Sequence, residues 1–265
     1  MIQTEARIVD INETYIPGLE KPNGRSIESS LTVILDCPEI AAEARPGQFV
    51  MVNCGQSTLP RPFSINRVTN NGEITLFISV LENGIGTEWL SKRKPGDMVK
   101  LLGPLGNGFT IDETSHNIFL VGGGMGLDPL VFLAEEAVSK GILVTLMYGT
   151  QNKYRYPVER VLSGVSIVSA TEDGSIGHHG MVTELIPEYI NTADQVFICG
   201  PLAMYKYLHH QKLMKDKSIQ VSLEVRMACG RGLCYGCTIQ TINGKRRVCE
   251  DGPVFDFNNI DWDSI

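Results

Sequence analysis

Four cysteines near the end of the chain constrain its fold more than any other feature of the sequence. They occur in the run CGRGLCYGCTIQTINGKRRVC and are Cys229, Cys234, Cys237 and Cys249. The first three follow a C-x4-C-x2-C spacing, and eleven residues separate the third from the fourth. Gly230, Gly232 and Gly236 let this loop turn tightly enough to bring three thiolates around one small inorganic core. The fold must therefore return Cys249 to the same loop.

The spacing of these cysteines begins like that of plant-type [2Fe-2S] sites, which predicts a one-electron carrier. The last gap is shorter than in plant ferredoxins, so a compact cluster module is expected and not a whole ferredoxin domain. A structural zinc site with four thiolate ligands is the alternative, although zinc knuckles usually pair two short cysteine hairpins and this stretch contains one C-x2-C. Disulfides are a third interpretation.

Charge and composition exclude several classes of protein. The net charge is −7, and lysines and arginines are scattered without a run of five, which argues against a nucleic-acid partner. The sequence contains no stretch of eighteen apolar residues, so no membrane span is predicted. The N-terminus has no signal-peptide pattern. Seven cysteines with four in ligand spacing favour a reducing compartment, so a cytoplasmic protein is expected. Cys37 and Cys54 are interpreted as small buried hydrophobic residues.

The chain predicts an α+β multidomain protein. Short β-branched runs with frequent turns between residues 4 and 111 predict an N-terminal antiparallel β-barrel or sandwich, with tight turns at 70–72 and 94–97. A strand, glycine turn, helix and strand between residues 117 and 149 predict a central α/β domain with a parallel sheet. Further strands are expected at VSIVSA and QVFICG, and helices at 181–189 and 203–215. The predicted boundaries are 1–112, 113–222 and 223–265.

Two motifs of the central domain suit a dinucleotide. Gly122, Gly123, Gly124 and Gly126 follow a strand and open a helix, where bare backbone can approach a pyrophosphate. The pattern departs from G-x-G-x-x-G, and no acid lies about twenty residues further on to bind a ribose, so a purely structural turn is the alternative. Cys199 ends the strand QVFICG, where ligands gather in open α/β sheets, although the following Gly-Pro also reads as a stop before a helix.

Two motifs of the β domain suit phosphate and a heterocycle. In the run RPFS, Pro62 fixes the backbone so that Arg61 and Ser64 point in defined directions, and arginine suits a bidentate phosphate contact. In the run GIGT, Gly86 and Thr87 introduce a helix whose N–H groups could hold another phosphate. A surface arginine beside a strand-start proline, and a simple helix cap at Thr87, are the structural alternatives.

Other catalytic patterns are absent from the sequence. The five histidines, at positions 116, 178, 179, 209 and 210, have no metal-ligand spacing with an acid and are expected not to be ligands. No G-x-S-x-G elbow or G-x4-G-K-[ST] loop is present, so acyl transfer and nucleotide triphosphatase chemistry have no support.

The ordered series RPFS, GIGT, GPLGNGF, GGGMGLDPL, CGP, the four-cysteine loop and DGPVF resembles the electron-transfer subunits of dihydroorotate dehydrogenase B, a branch of the ferredoxin reductase superfamily. The resemblance spans nearly the whole chain. It implies an N-terminal FAD-binding β-barrel, a central NAD-binding α/β domain and a small C-terminal [2Fe-2S] module.

The resemblance also implies roles for individual residues. Arg61, Pro62, Phe63 and Ser64 would bind the FAD, with Arg61 near phosphate and Ser64 near the flavin ring. Ile78, Ser79 and Val80 would line the flavin, and Gly86 and Thr87 would hold its pyrophosphate. The turn formed by Gly122, Gly123, Gly124 and Gly126 would face NAD(H), and Cys199 would lie near the nicotinamide. The cysteines at positions 229, 234, 237 and 249 would ligate iron.

The implied activity is oxidoreductase electron transfer that is incomplete without a partner. A hydride donor cannot pass a hydride to an iron-sulfur cluster, so a flavin between them must accept two electrons and release one at a time. The expected path runs from NAD(H) through FAD and [2Fe-2S] to the FMN of a dihydroorotate-oxidising catalytic subunit, in a heterotetramer of two copies each, for pyrimidine biosynthesis.

Alternatives to this assignment remain open at the level of sequence. Similar flavin and iron-sulfur subunits serve sulfhydrogenases and electron-bifurcating NADH-dependent ferredoxin:NADP reductase complexes, and a zinc-stapled scaffold is an alternative of another class. Asp128 departs from the small or apolar residue that related chains usually carry, and an anion there could weaken dinucleotide binding unless its side chain turns away or caps the helix. Lys153 or Arg155 could pair with a 2′-phosphate or be solvated, whereas the resemblance favours NADH.

Overall fold

The N-terminal part of the protein is a curled antiparallel sheet. The computed structural model describes residues 1–14, 19–20, 26–153, 162–212 and 217–265. The sheet contains β1 Ile2–Thr14, β2 Leu19–Glu20, β3 Ser26–Asp36, β4 Phe49–Val52, β5 Arg61–Ser64, β6 Arg67–Val68, β7 Glu73–Leu81 and β8 Met98–Leu105. Their order is β5-β4-β8-β1-β3-β7-β6, with β2 paired to β3, and the sheet closes into a half-barrel. Helices α1 Pro38–Glu43 and α2 Ile85–Ser91 connect its strands.

The half-barrel follows from the alternation and turns seen in the sequence. Inward residues of the long strands, such as Leu31, Val33 and Leu35 of β3, are buried in a single apolar core. The predicted turn at 70–72 joins β6 to β7 antiparallel, and the turn at 94–97 is closed by a 3.0 Å hydrogen bond from Asp97 N to Lys94 O.

The central part is a parallel sheet with helices packed on it. Its elements are β9 Asn117–Gly123, α3 Asp128–Ser139, β10 Leu143–Thr150, β11 Ser166–Thr171, β12 His178–His179, α4 Ile186–Tyr189, β13 Gln195–Cys199, α5 Leu202–Gln211 and β14 Ser218–Ser222. Strands β12-β11-β10-β9-β13-β14 are consecutive and parallel. The predicted α/β domain is confirmed.

Two helices differ from their sequence-based ranges. The expected helix at 181–189 is a 3₁₀ turn over Val182–Glu184 followed by the short α4, because Pro187 lacks an N–H and fits only the first turn of a new helix. The expected helix at 203–215 is α5, which ends where Lys212 adopts a left-handed conformation with φ of 52°. Residues 213–215 of that range lie outside the described residues.

The C-terminal segment is woven into the central sheet. It contains β15 Thr238–Thr241, β16 Gly244–Arg247, α6 Val248–Asp251 and β17 Val254–Asp256. Strands β15 and β16 form a hairpin, and β17 pairs antiparallel with β14, with Phe255 opposite Val221. The segment that carries the four cysteines therefore also supplies the edge strand of the central sheet.

One apolar core joins the three parts of the chain. The face of the central sheet opposite α3 packs with Met51 of the half-barrel and with Cys237 and Trp262 of the C-terminal segment. The other face packs under α3 through residues such as Leu130 and Ala134. This shared core fixes the cysteine loop relative to both sheets. Within the described ranges, none of the helices has the length and apolar content that a bilayer crossing requires.

Candidate functional site

The cysteine loop gathers its four thiols and directs backbone N–H groups at every one of them. Arg231 N donates to Cys229 Sγ at 3.4 Å, and Gly236 N donates to Cys234 Sγ at 3.5 Å. Cys249 N donates to Cys237 Sγ at 3.5 Å, and Gly232 N donates to Cys249 Sγ at 3.2 Å. Four sulfur atoms that each accept an amide hydrogen bond form an environment for thiolate charge.

The four thiols lie near enough to affect one another's ionisation. Cys234 lowers the pKa of Cys229, whereas Cys237 and Cys229 raise that of Cys249. Among the residues that the structure describes, no three His, Cys, Asp or Glu side chains converge as ligands of one metal ion. A [2Fe-2S] cluster takes two protein ligands on each of two irons, and the four free cysteines of this loop supply that number of ligands.

The pKa values of two of the thiols shift in opposite directions. Burial opposes ionisation of Cys229, but the backbone N–H groups of Arg231 and Cys234 and the side chain of Cys234 lower its pKa to about 7. Burial, followed by the neighbouring Cys237 thiol, raises the pKa of Cys249 to about 12. If Cys249 binds a metal, its thiol would therefore have to release its proton to solvent as the metal–sulfur bond forms.

The loop also contacts the half-barrel closely. Gly230 has a φ of 66°, and a Cβ atom there would lie 2.5 Å from Cγ of Met51. Met51 pairs with Pro62 in the β4–β5 ladder. The residue after the first cluster cysteine thus packs on the strand that neighbours RPFS, which brings the cysteine loop beside the predicted flavin site.

A cleft of about 580 Å³ opens at the carboxyl ends of the parallel strands. Gly123, Gly124 and Gly126 line it together with Gly200 and Pro201, whereas Gly122 and Cys199 do not. The strand ends of an open α/β sheet are where ligands bind, and the bare backbone of the glycine turn faces this space. The structure therefore brings three of the four glycines of the turn together with the CGP loop.

Gly126 is the residue of the glycine turn that packs most closely against the CGP loop. A Cβ atom at Gly126 would lie 2.1 Å from the carbonyl oxygen of Cys199, whereas at Gly122 the nearest atoms are 3.5 Å away. The glycine turn therefore rests directly on the backbone of the CGP loop. The Cys199 thiol points away from the cleft toward Tyr205, and burial raises its pKa well above its ordinary value.

An acid at the cleft was missed in the sequence. Glu172 directly follows β11, is exposed and lines the cleft. The usual spacing would place a ribose-binding acid near the end of β10, where this chain has none. Strand β11 pairs parallel with β10 and brings its own end to the same cleft. Lys153 follows β10, is exposed and does not line the cleft; Arg155 lies outside the described residues.

The two β-domain motifs meet in the structure. A Cβ atom at Gly86 would lie 2.9 Å from Cγ of Arg61, so GIGT packs against the RPFS strand. The Arg61 guanidinium donates to Leu59 O at 2.7 Å, and Thr87 Oγ1 donates to Gly84 O at 3.1 Å. Ser64 ends the same β5 strand, and Phe63 packs on the apolar core. The residues implied for FAD phosphate therefore form one surface.

The strand at 78–80 divides its side chains between core and junction. Ile78 and Val80 are buried inside the half-barrel, while Ser79 contacts Met125 of the glycine turn, with Oγ 3.0 Å from Sδ. This alternation is the ordinary two-residue period of a strand. Of the three residues implied to line the flavin, Ser79 alone faces the dinucleotide-type domain through its side chain.

Asp128 turns away from the cleft and into the junction between the domains. Its side chain is buried, does not cap α3, and accepts a 3.3 Å hydrogen bond from Asn66 Nδ2. Burial, and then the nearby Glu224, raise the pKa of Asp128 well above its usual range, although the hydrogen bond from Asn66 opposes this. The carboxyl at the start of α3 therefore lies in the junction, and it does not line the cleft.

Comparison with protein families places two described regions. Residues 224–261 match the model of the iron-sulfur cluster binding domain of dihydroorotate dehydrogenase B, and residues 29–109 match an oxidoreductase FAD-binding domain. The first match includes all four cysteines and favours an iron-sulfur cluster over the zinc alternative.

Curated relatives match most of the chain. A dihydroorotate dehydrogenase B (NAD(+)) electron transfer subunit from Geobacillus sp. (strain WCH70) is 42% identical over 221 residues, covering 79% of this chain and 84% of the relative. The subunit of the same name from Listeria monocytogenes serotype 4b (strain F2365) is 34% identical over 263 residues, covering 96% and 97%.

Solved structures share the fold. An NADH-dependent reduced ferredoxin-NADP oxidoreductase, described for flavin-based electron bifurcation, superposes with a TM-score of 0.83 at 26% identity over 97% of this chain and 90% of that chain. A ferredoxin NADP+ reductase from Neisseria gonorrhoeae with bound FAD and NADP gives a TM-score of 0.65 at 16% identity, covering 84% and 94%. The predicted fold class is confirmed.

Proposed function

The chain belongs to the family of dihydroorotate dehydrogenase B electron transfer subunits, and from that premise we propose that it passes electrons between NAD(H) and a catalytic subunit that oxidises dihydroorotate. It is an oxidoreductase subunit with an FAD-binding domain and an iron-sulfur cluster-binding domain. When bound, the flavin accepts two electrons from a nicotinamide and the cluster takes them one at a time, which lets a two-electron donor feed a one-electron carrier.

The packing of Gly230 on Met51 is the observation that carries this proposal. Gly230 follows Cys229, and Met51 pairs with Pro62 of the RPFS strand. The protein's own residues therefore hold a predicted cluster ligand and a predicted flavin strand against one another through a single buried side chain. Electron transfer between two groups requires such proximity, and a merely structural metal staple does not.

The site residues have distinct proposed roles. Arg61, Ser64, Gly86 and Thr87 bind FAD, with Pro62, Phe63 and the 78–80 strand forming the wall beside it. Gly123, Gly124 and Gly126 face the dinucleotide, while Gly122 supports them and Cys199 supplies backbone beneath them. The four cysteines bind the cluster. The corresponding domains are 1–112, 113–222 and 223–265, and the cytoplasmic location stays a prediction.

Glu172 favours NADH over NADPH in this proposal. It is an acid at the end of β11 and lines the cleft. A carboxylate can accept hydrogen bonds from a ribose hydroxyl but repels a 2′-phosphate. This supports the nicotinamide cofactor without the extra phosphate.

The tip of the cysteine loop is the proposed docking point for the catalytic subunit. Leu233 and Tyr235 flank Cys234 and are 76% and 66% exposed. The Arg247 guanidinium lies 5.3 Å from the Tyr235 ring centre and donates to Gly232 O at 2.6 Å. Exposed apolar side chains at the tip of the loop fit a partner surface with an apolar centre. A heterotetramer with two copies of each chain is the proposed assembly.

The first test is the visible spectrum of the anaerobically purified protein before and after NADH, with iron and zinc assayed on the same sample. We expect flavin and iron-sulfur bands that bleach with NADH, and iron without stoichiometric zinc. A colourless zinc protein would overturn the proposal. Gel filtration of the chain co-expressed with its catalytic subunit should give one complex that reduces NAD⁺ with dihydroorotate.

A bifurcating complex is the second candidate, because the fold superposes over 97% of the chain on an NADH-dependent reduced ferredoxin-NADP oxidoreductase. The two functions differ in their electron donor. Bleaching of the complex by dihydroorotate supports the first, whereas bleaching by reduced ferredoxin with no response to dihydroorotate supports the second.

A further inference from the structure

The CGP loop that underlies the cleft is held from behind by one phenol. The backbone N–H of Gly200 donates to the hydroxyl of Tyr205 at 2.9 Å, and that hydroxyl donates to the carbonyl of Ser222 at 2.6 Å. Both contacts are buried, and Tyr205 is 1% exposed. The phenol therefore ties the loop after β13 to the end of the neighbouring β14.

On the side that faces the cleft, the CGP loop packs against the glycine turn. Gly126 would place a Cβ atom 2.1 Å from Cys199 O, and Gly123 would place one 2.9 Å from Cδ of Pro201. Two backbones in such close contact cannot shift independently. A displacement of Gly200 must therefore move the glycine turn that faces the cleft.

The far side of Tyr205 is covered by the C-terminal tail, residues 257–262. The Trp262 ring stacks on the Tyr205 ring with centroids 5.2 Å apart and an interplanar angle of 23°. Trp262 is 2% exposed, and its Nε1 donates to Phe257 O at 3.0 Å. The Phe257 ring lies 4.9 Å from that of Trp262. The tail that follows the cluster segment is therefore the wall that keeps Tyr205 in place.

We propose that Tyr205 is a positioning residue for the dinucleotide, and that Trp262 of the C-terminal tail sets the affinity of the cleft for NADH by holding Tyr205 against Gly200. This inference rests on the proposed function, because it takes NADH as the ligand of the cleft. It assigns to the tail a role in binding as well as in packing. The coupling runs from Trp262 through Tyr205 and Gly200 to the glycine turn.

The bridge requires a phenol that keeps its proton, since the hydroxyl must donate to Ser222 while it accepts from Gly200. Burial, and then the adjacent Cys199 thiol, raise the pKa of Tyr205 well above its ordinary value. Removing the hydroxyl would leave a buried N–H and a buried carbonyl without this partner, which is a costly change in a site of this kind.

The test compares Tyr205→Phe with Tyr189→Phe in the holoprotein bound to its catalytic subunit. Tyr189 stacks on Phe119 in the same apolar core, with ring centroids 6.1 Å apart, and does not line the cleft, so its variant is the matched control. NADH binding is measured by fluorescence titration, and KM for NADH and kcat are measured separately. Flavin content, cluster bands and Tm report on folding.

For Tyr205→Phe we expect NADH to bind about fivefold or more weakly, with KM raised and kcat at saturation little changed. Tyr189→Phe should stay within about twofold of the unsubstituted protein. If Tyr205→Phe also stays within about twofold while its Tm falls, the tyrosine is structural only and the inference is wrong.

Trp262 is tested by a double-mutant cycle. Trp262→Phe keeps a stacked ring and should retain affinity, whereas Trp262→Ala should weaken NADH binding about as much as Tyr205→Phe. Because Trp262 acts through Tyr205, the double variant should bind no more weakly than either single variant. Simple addition of the two effects would contradict the coupling. A parent complex that fails to bind NADH at all would instead contradict the proposed function.

Discussion

The side-chain amide of Asn66 donates to the carboxyl of Asp128 at 3.3 Å across the junction between the half-barrel and the central sheet. Both residues are buried, at 4% and 6% exposure. One residue further along, Arg67 donates from Nε to Glu135 Oε2 at 2.9 Å. Because Asp128 and Glu135 lie on one face of α3, the two contacts lock this helix onto β6 and fix the predicted flavin wall beside the glycine turn.

Ionisation of the buried Asp128 carboxyl should make the protein less stable as the pH rises. The folded-state pKa is raised above the ordinary value of 3.8, so the unfolded chain loses this proton first and the folded state is progressively disfavoured above that pH. Asp128→Asn keeps a hydrogen-bond acceptor without the charge. We expect its Tm to exceed that of the unsubstituted holoprotein increasingly over a pH series that rises from about 4, with the exposed Glu113→Gln as control. A difference that is constant across this range would contradict a raised pKa.

Substitution in the glycine turn should separate two positions that the sequence treats alike. Gly126→Ala places a methyl group against the Cys199 carbonyl and should weaken NADH binding by about tenfold or more, with about 1–3 kcal/mol of destabilisation. Gly122→Ala has room for the methyl group and should bind NADH within about twofold of normal. The measurement is a fluorescence titration on protein with unchanged flavin content. Equal effects at both positions would show that the packing beneath Gly126 is unimportant.

Removal of the acid at the end of β11 should relax the choice of nicotinamide cofactor. Glu172→Gln removes a charge that would repel a 2′-phosphate, and we expect kcat/KM for NADPH relative to NADH to rise about tenfold. Glu188→Gln, an exposed acid on α4 outside the cleft, is the matched control. An unchanged ratio in Glu172→Gln would remove Glu172 from the specificity site.

The tip of the cysteine loop should govern assembly with the catalytic subunit. Leu233→Ser removes an apolar side chain that is 76% exposed. We expect this variant to bind the catalytic subunit about tenfold more weakly. Leu143→Ser removes one that is 70% exposed at the start of β10 and should leave the complex intact. Sedimentation measures association, and NADH-dependent reduction of an artificial acceptor shows whether the subunit itself still works. Equal association by the two variants would move the interface elsewhere.

Sequence reasoning succeeded where the chemistry is local. The cysteine spacing, the glycine turn and the strand–helix–strand pattern each depend on residues close together in the chain, and these predicted the fold class and the iron-sulfur cluster. The resemblance of the ordered motifs to a known family implied FAD and NAD(H). Glu172 was missed because its place depends on the pairing of β11 with β10, which spacing does not reveal. The bridges from Asn66 to Asp128 and from Tyr205 to Trp262 join distant segments whose contact arises only when the domains pack.

The pairing of β17 with β14 gives the cysteine segment a protective role. Cys249 lies in α6, and four residues separate it from β17, so the strand that covers the edge of the central sheet is tethered to a predicted cluster ligand. An uncovered strand edge is a template for pairing with other chains. Loss of iron would therefore threaten solubility as well as electron flow, and iron limitation would act on this protein as an aggregation stress, visible as light scattering after chelation.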